Sequence, residues 1–196
     1  MVKRIFDIAF VLCTSVVTVP IVLLLSLVVM LDGGSPFYVQ RRVGKNGKVF
    51  RMVKLRSMVS DADRRLSAYL KENQEARREW EETQKLKRDP RITRIGRIIR
   101  KTSMDELPQF WNVLTGDMSV VGPRPMMPSQ RDLYPGQAYF QLRPGVTGFW
   151  QIGDRNNTSF AARARYDSEY FEKVSFFTDV KVILKTIQTV FRCTGI

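Results

Sequence analysis

The stretch SMDELPQFWNVL, residues 103–114, sets two adjacent carboxylates, Asp105 and Glu106, just ahead of an amphipathic segment. The chain contains 0 histidines, which removes imidazole acid–base catalysis, His-based triads and His-containing zinc sites. Chemistry is left to carboxylates, Lys, Arg, Ser, Tyr or a metal held by oxygen atoms. A carboxylate at the positive end of a helix stays ionised, the form needed for nucleophilic attack or for binding Mg²⁺. Helical neighbours point ~100° apart, so the two carboxylates should have different tasks. The same residues also fit a purely structural role, because Ser103 to Glu106 has capping-box spacing and acidic residues favour helix starts. The arginines nearby favour chemistry. Arg100 lies upstream, and Arg124 stands in the rigid tripeptide Pro123-Arg124-Pro125. Guanidinium forks match phosphate oxygens, so a carboxylate pair among arginines points to phosphoryl transfer.

Leu107, Phe110, Trp111 and Leu114 follow i, i+3, i+4, i+7 and predict a helix with these four on its buried face. Pro108 must fall in the first turn, which places the helix start at about Met104–Glu106. Upstream, KRDPRITRIGRIIRK spaces Arg91, Arg94, Arg97 and Arg100 by three, with Ile92, Ile95, Ile98 and Ile99 between them. At helical pitch this separates a basic side from an apolar side, with a turn around Gly96 as the alternative. Residues 116–128 and 143–157 are punctuated by Gly and Pro and read as loops. The β-rich runs on either side of Gly44-Lys45-Asn46-Gly47 predict a hairpin. Residues 60–88 read as one or two solvated helices, and 159–173 and 177–192 as two more. The last has a broad apolar face that suits either core packing or the membrane interface.

The balance of 32 Lys and Arg against 19 Asp and Glu gives a formal charge of +13, which implies polyanionic partners: nucleic acid, an anionic membrane face or phosphorylated substrates. The 2 cysteines, Cys13 and Cys193, make no disulfide framework. From Ile8 to Leu31 the chain carries no charge and is bracketed by Asp7 and Asp32. A helix of that length can cross a ~30 Å hydrocarbon core. Basic residues flank it on both sides, Lys3 and Arg4 before it and a run from Arg41 to Arg56 after it, and Pro20 sits at its middle. The positive-inside rule wants both ends on one face, and the proline bends the helix. A re-entrant segment and a single span both satisfy these features.

KLRSM (54–58), DPRITRIGRIIRKTSMDELPQFWNVLTGDMSVVGPRP (89–125) and RPGVTGFWQIGDRN (143–156) closely resemble the bacterial sugar transferase family, the monotopic phosphoglycosyl transferases. The motifs stand in the family's order. With the apolar N-terminus and FFTDVKVILKTI they cover most of the chain, while 60–88 adds little. The resemblance implies transfer of a sugar 1-phosphate from a UDP-sugar to undecaprenyl phosphate, with release of UMP. This would be an initiating step of exopolysaccharide, capsule or O-antigen assembly. It implies that Asp105 is the nucleophile of a covalent phosphosugar intermediate, with Glu106 its partner. It also implies that the two hold Mg²⁺, that Arg100, Arg124 and Arg155 receive phosphate groups, and that Pro123, Arg124 and Pro125 contribute to the nucleotide site. The membrane segment would be re-entrant, broken at Pro20, with both flanks on the cytoplasmic face of a bacterial inner membrane.

The fold expected is a compact, mostly helical α/β catalytic domain over 34–196, with a small hairpin or sheet and amphipathic interfacial helices. It would hang from a re-entrant helix within 1–33. Galactose or glucose is the sugar that the resemblance suggests; a homo-oligomer is left open and nucleic acid is not expected as a partner. The competing reading is a non-catalytic, membrane-anchored basic protein that binds nucleic acid or anionic lipid. It explains the charge and the anchor but gives no reason for Asp105-Glu106 or the Pro-Arg-Pro.

Overall fold

A computed structural model describes residues 2–84, 86–153 and 158–191. The uncharged run and its basic lead-in form one helix, α1 (Val2–Met30), with Pro20 inside it. Its middle is largely exposed, and its two ends are pinned to the rest of the protein. At the N-terminal end Lys3 pairs with Asp179 at 2.6 Å, and Arg4 donates to the carbonyls of Val113 and Leu114. Asp7 is buried and accepts from the Ser119 hydroxyl at 2.8 Å and the Val120 amide at 3.0 Å. At the other end Val29 packs with Leu55 and Ile99, and Arg56 donates to the Val29 carbonyl at 3.1 Å.

A hairpin follows, with β1 (Phe37–Val43) and β2 (Val49–Leu55) antiparallel in the register Val39↔Val53. Asn46 and Gly47 both take positive φ, 57° and 75°, the geometry that made Asn-Gly a hairpin signal. Residues 60–88 hold two helices, α2 (Ala62–Glu72) and α3 (Gln74–Thr83). Asn73 separates them and caps α3, its side chain accepting from the Ala76 amide at 2.9 Å.

The isoleucine–arginine segment gives α4 (Arg94–Lys101), capped by Thr93. Two details depart from the periodic reading. Ile98 is 67% exposed, and Arg91 lies before the helix, buried and clamped to Asp89 at 2.8 and 2.6 Å. Gly96 is inside α4 rather than at a turn, because the helix passes directly over the hairpin's exit strand. A Cβ there would fall 2.0 Å from the Ser57 carbonyl oxygen.

Beyond the carboxylate pair come α5 (Gln109–Thr115), β3 (Ser119–Val121), the short α6 (Ala138–Gln141), β4 (Gly145–Thr147) and the single-turn α7 (Phe149–Ile152). The chain closes on α8 (Arg163–Lys173) and α9 (Phe176–Phe191). β3 and β4 pair in parallel, Ser119 with Gly145 and Val121 with Thr147. The main core gathers Val11 of α1, Phe50 and Met52 of β2, Val113, Met118, Val120, Val121, Tyr170 and Val182. The result is a compact, predominantly helical α/β body, as expected. α9 packs into the core through Val182 and Asp179, which are buried, while Phe177, Leu184 and Ile187 are exposed on the same helix.

The close approach at Gly96 is testable. Gly96→Ala should lower stability by about 1–3 kcal/mol through overpacking, read as a lower denaturation midpoint of the detergent-solubilised protein. A variant that matches the parent would show that α4 does not sit on Ser57.

Candidate active site

Asp105 and Glu106 do not open an α-helix. They occupy a separate 3₁₀ turn, Met104–Glu106, entered through Ser103 at φ 56° with no side-chain cap, and α5 starts only after Pro108. The capping-box reading therefore fails. Pro108 has no N–H to return to the Met104 carbonyl, and its ring would crowd that carbonyl in a continuous helix, so the path breaks between the turn and α5. The break also rotates α5: Gln109, Asn112 and Val113 are buried, while Trp111, expected inside, is 64% exposed. Asn112 fixes α5 to β2, accepting from the Val53 amide at 3.0 Å and donating to the Arg51 carbonyl at 2.8 Å.

The two carboxylates have different surroundings. Glu106 Oε1 accepts from Lys54 Nζ at 2.7 Å and from Arg124 at 3.1 Å. Asp105 is 6% exposed and forms no side-chain hydrogen bond among the described residues; its nearest cation is Lys54 Nζ, 3.8 Å away. Burial would push the Glu106 carboxyl up, but the charges of Lys54 and Arg124 outweigh it and hold the group well below the usual range. For Asp105 burial wins: desolvation, reinforced by the Glu106 charge, raises its carboxyl above the ordinary value, with Lys54 and Arg100 opposing. Burial likewise lowers Lys54 despite the two carboxylates.

The pair lies on a cavity of about 670 Å³, within the range of ligand sites. One wall is cationic and polar, with Arg42, Lys54, Arg100, Arg124 and Arg163. Another is apolar, with Phe10 of α1, Phe110 of α5 and Ile183 and Ile187 of α9. Residues of the 60–88 segment, Leu66 and Trp80 among them, line the cavity as well.

The bacterial sugar transferase family model matches residues 1–193. The chain belongs to that family. Among its relatives are the UDP-galactose-lipid carrier transferase of Erwinia amylovora, 44% identical over 98% of this chain and 41% of the relative. The exopolysaccharide production protein ExoY of Rhizobium meliloti is 44% identical over 97% of this chain and 85% of its own length. The undecaprenyl-phosphate galactose phosphotransferase of Salmonella typhimurium is 42% identical over 98% of this chain and 41% of the relative. The chain thus spans about two-fifths of the two longer relatives and most of ExoY.

Among the residues that the family resemblance singled out, Arg100 lines the cavity, its guanidinium brought down by burial in spite of Asp105 and Asp89. Arg124 is turned onto Glu106 and lies 5.6 Å from the Trp150 ring centre. Pro123 and Pro125 fix its loop: the Pro123 carbonyl accepts from the Gly145 amide at 2.8 Å, and the Pro125 carbonyl from Arg42 at 3.2 Å. Gly122 is needed there, since a Cβ would meet the Arg143 carbonyl oxygen at 2.3 Å. Arg155 lies outside the described residues.

Single-sequence reading gave no role to Lys54, Arg42, Gln151 or Arg163, all of which line the cavity. A signal for Lys54 was present. Strand alternation puts Lys54 on the face of Phe50 and Met52, which are buried, and a lysine on an inward face needs a partner.

Among the described residues no group of three or more Cys, Asp or Glu gathers in metal-binding geometry. The donor set still suits Mg²⁺, which takes one or two carboxylates and completes its shell with water and substrate phosphates. Asp105 fits as a ligand; Glu106 Oε1 is already engaged by two cations.

The electrostatics give a signed expectation. A raised Asp105 favours the protonated form in the folded state, so its ionisation costs stability as pH rises above the ordinary value of 3.8. Asp105→Asn should therefore raise Tm near neutral pH, with the gain shrinking as the pH falls toward that value. A Tm at or below that of the parent across the range would place Asp105 in an environment that favours the anion.

Proposed function

We propose that this protein transfers a hexose 1-phosphate from a UDP-sugar to undecaprenyl phosphate through a covalent intermediate on Asp105. The observation that carries the reading is the division of the pair: Glu106 is neutralised by Lys54 and Arg124, while Asp105 lines the cavity with no side-chain hydrogen bond among the described residues. A weakly solvated carboxylate held beside cations is a competent nucleophile for a diphosphate. Asp105 attacks the β-phosphorus of the donor, forming an acyl phosphate ester as the bond to the UMP oxygen breaks. An oxygen of the lipid phosphate then attacks the same phosphorus, releasing the Asp105 carboxylate and giving undecaprenyl-diphosphate-sugar. Lys54, Arg100 and Arg124 lie where the charge of the phosphates must be balanced. Mg²⁺ on Asp105 would add to that neutralisation. Using one site twice lets a soluble donor and a membrane-bound acceptor react without meeting.

Two of the relatives are galactose transferases and a third serves exopolysaccharide production, which favours galactose as the sugar and exopolysaccharide synthesis as the setting. Product analysis with Mg²⁺, undecaprenyl phosphate and a panel of UDP-sugars tests the chemistry. Lipid-dependent UMP is expected from the parent, with turnover lost in Asp105→Asn. UDP in place of UMP would make the reaction a sugar-only transfer. No product with any donor would restore the non-catalytic binding protein.

For the membrane segment we propose re-entry, with both flanks on the cytoplasmic face. Both ends of α1 are held by one globular body, through Asp7 to Ser119 and through Val29 to Leu55 and Ile99. A transmembrane span would leave its ends ~30 Å apart on opposite faces. The exposed apolar face of α9 and Trp111 suit the membrane interface alongside it. Cysteine-accessibility labelling in a Cys-free background should report residue 2 and residue 33 on the same face. Opposite faces would establish a single span.

A further inference from the structure

Three side chains on the cavity wall, Arg42, Gln151 and Arg163, have buried polar atoms with no partner among the described residues; in Arg42 it is Nε alone, its other nitrogens bonding Gln40 and the Pro125 carbonyl. Gln151, on α7, is 6% exposed, and among the described residues neither its amide oxygen nor its amide nitrogen has a hydrogen-bond partner. Arg163, the first residue of α8, is 8% exposed. Its guanidinium carbon lies 4.3 Å from the Trp150 ring centre and 4.6 Å from that of Phe160, and its Nε has no acceptor. Both line the cavity that holds Asp105 and Glu106. The nearby acid, Asp167, is engaged elsewhere and accepts from the Tyr134 hydroxyl at 2.7 Å.

Buried polar groups in folded proteins are nearly always satisfied, and an amide left bare at both ends is costly. Such a group persists where a bound molecule completes it. What completes an amide is a planar edge with a donor beside an acceptor. Phosphate offers acceptors alone, and sugar hydroxyls rotate without fixing such an edge. The imide edge of uracil, N3–H beside a carbonyl, has the required pattern. A buried guanidinium whose Nε has no acceptor among the described residues calls for an anionic oxygen, which the nucleotide's phosphate carries.

On the proposed reading that the donor is a UDP-sugar, we infer that the corner made by Gln151 and Arg163 receives the UMP half of the donor. The Gln151 amide pairs with the imide edge of the base, and Arg163 contacts the phosphate. Arg124 lies between this corner and the carboxylates, touching Glu106 on one side and the Trp150 ring on the other. This order places the base on the far side of Arg124 from Asp105, with the diphosphate between them.

The test is equilibrium binding to the full-length protein in detergent, with UMP, 3-methyl-UMP (whose N3 cannot donate) and ribose 5-phosphate. The parent should bind UMP about tenfold more tightly than 3-methyl-UMP, the scale of one lost hydrogen bond that leaves a buried group unpaired. Gln151→Met should erase that preference while keeping or raising Tm without ligand, since it removes an unsatisfied amide. Arg163→Gln should weaken all three ligands. Equal binding of UMP and 3-methyl-UMP by the parent would overturn the base contact with no variant needed, and a preference that survives in Gln151→Met would do the same. Unchanged affinities in Arg163→Gln would remove the phosphate contact. A parent that binds neither UMP nor any UDP-sugar would instead sink the proposed function itself.

Discussion

Glu106 holds two cations at once inside the cleft, and the site depends on it. Lys54 comes from the end of β2, Glu106 from the 3₁₀ turn and Arg124 from the loop after β3, so one three-charge contact joins three distant segments. Each of these charges is expensive to bury alone, and together they compensate one another. Removing any one leaves its partners desolvated and unpaired, which couples the fold of the cleft to its charge. The contact also sets the state of the neighbouring carboxylate. With Lys54 committed to Glu106 at 2.7 Å and 3.8 Å from Asp105, the aspartate feels attraction with no hydrogen bond from the described residues.

The scaffold around this contact is fixed by neutral polar pins and close backbone approaches. Asn112 bonds both ways to β2 and sets the distance between α5 and the hairpin. The parallel pair β3–β4 continues into the Gly122-Pro123 crossing, where backbone meets backbone and no side chain fits. That crossing holds Arg124 at low conformational freedom.

Much of this was legible in the residues. The Asn46-Gly47 turn, the apolar run of α1, the helices of 60–88 and the terminal helices all follow from local pattern. The carboxylate pair and Pro-Arg-Pro announced themselves because no structural role accounts for both. Pro108 was read as a first-turn residue of a helix starting near Met104, whereas it stands just ahead of α5, because the cost of crowding the Met104 carbonyl depends on where α5 is held. That tertiary restraint, chiefly Asn112, moved Trp111 outward against its helical period. Gln151 and Arg163 carried no local signal: an unpaired amide is visible only when its surroundings are known.

The first three turns of α1 are shared with the globular body. Asp7 and Val11 belong to the core of the globular body, and Phe10 to the wall of its cavity. An anchor attached through a slack linker lets its cargo tumble; one whose backbone is shared with the core does not. The tilt of the cleft with respect to the apolar middle of α1 is therefore a fixed internal coordinate of the molecule. Whatever plane that middle section takes up, the mouth of the cavity takes up the same orientation, and its height above the plane is set by the fold rather than by diffusion.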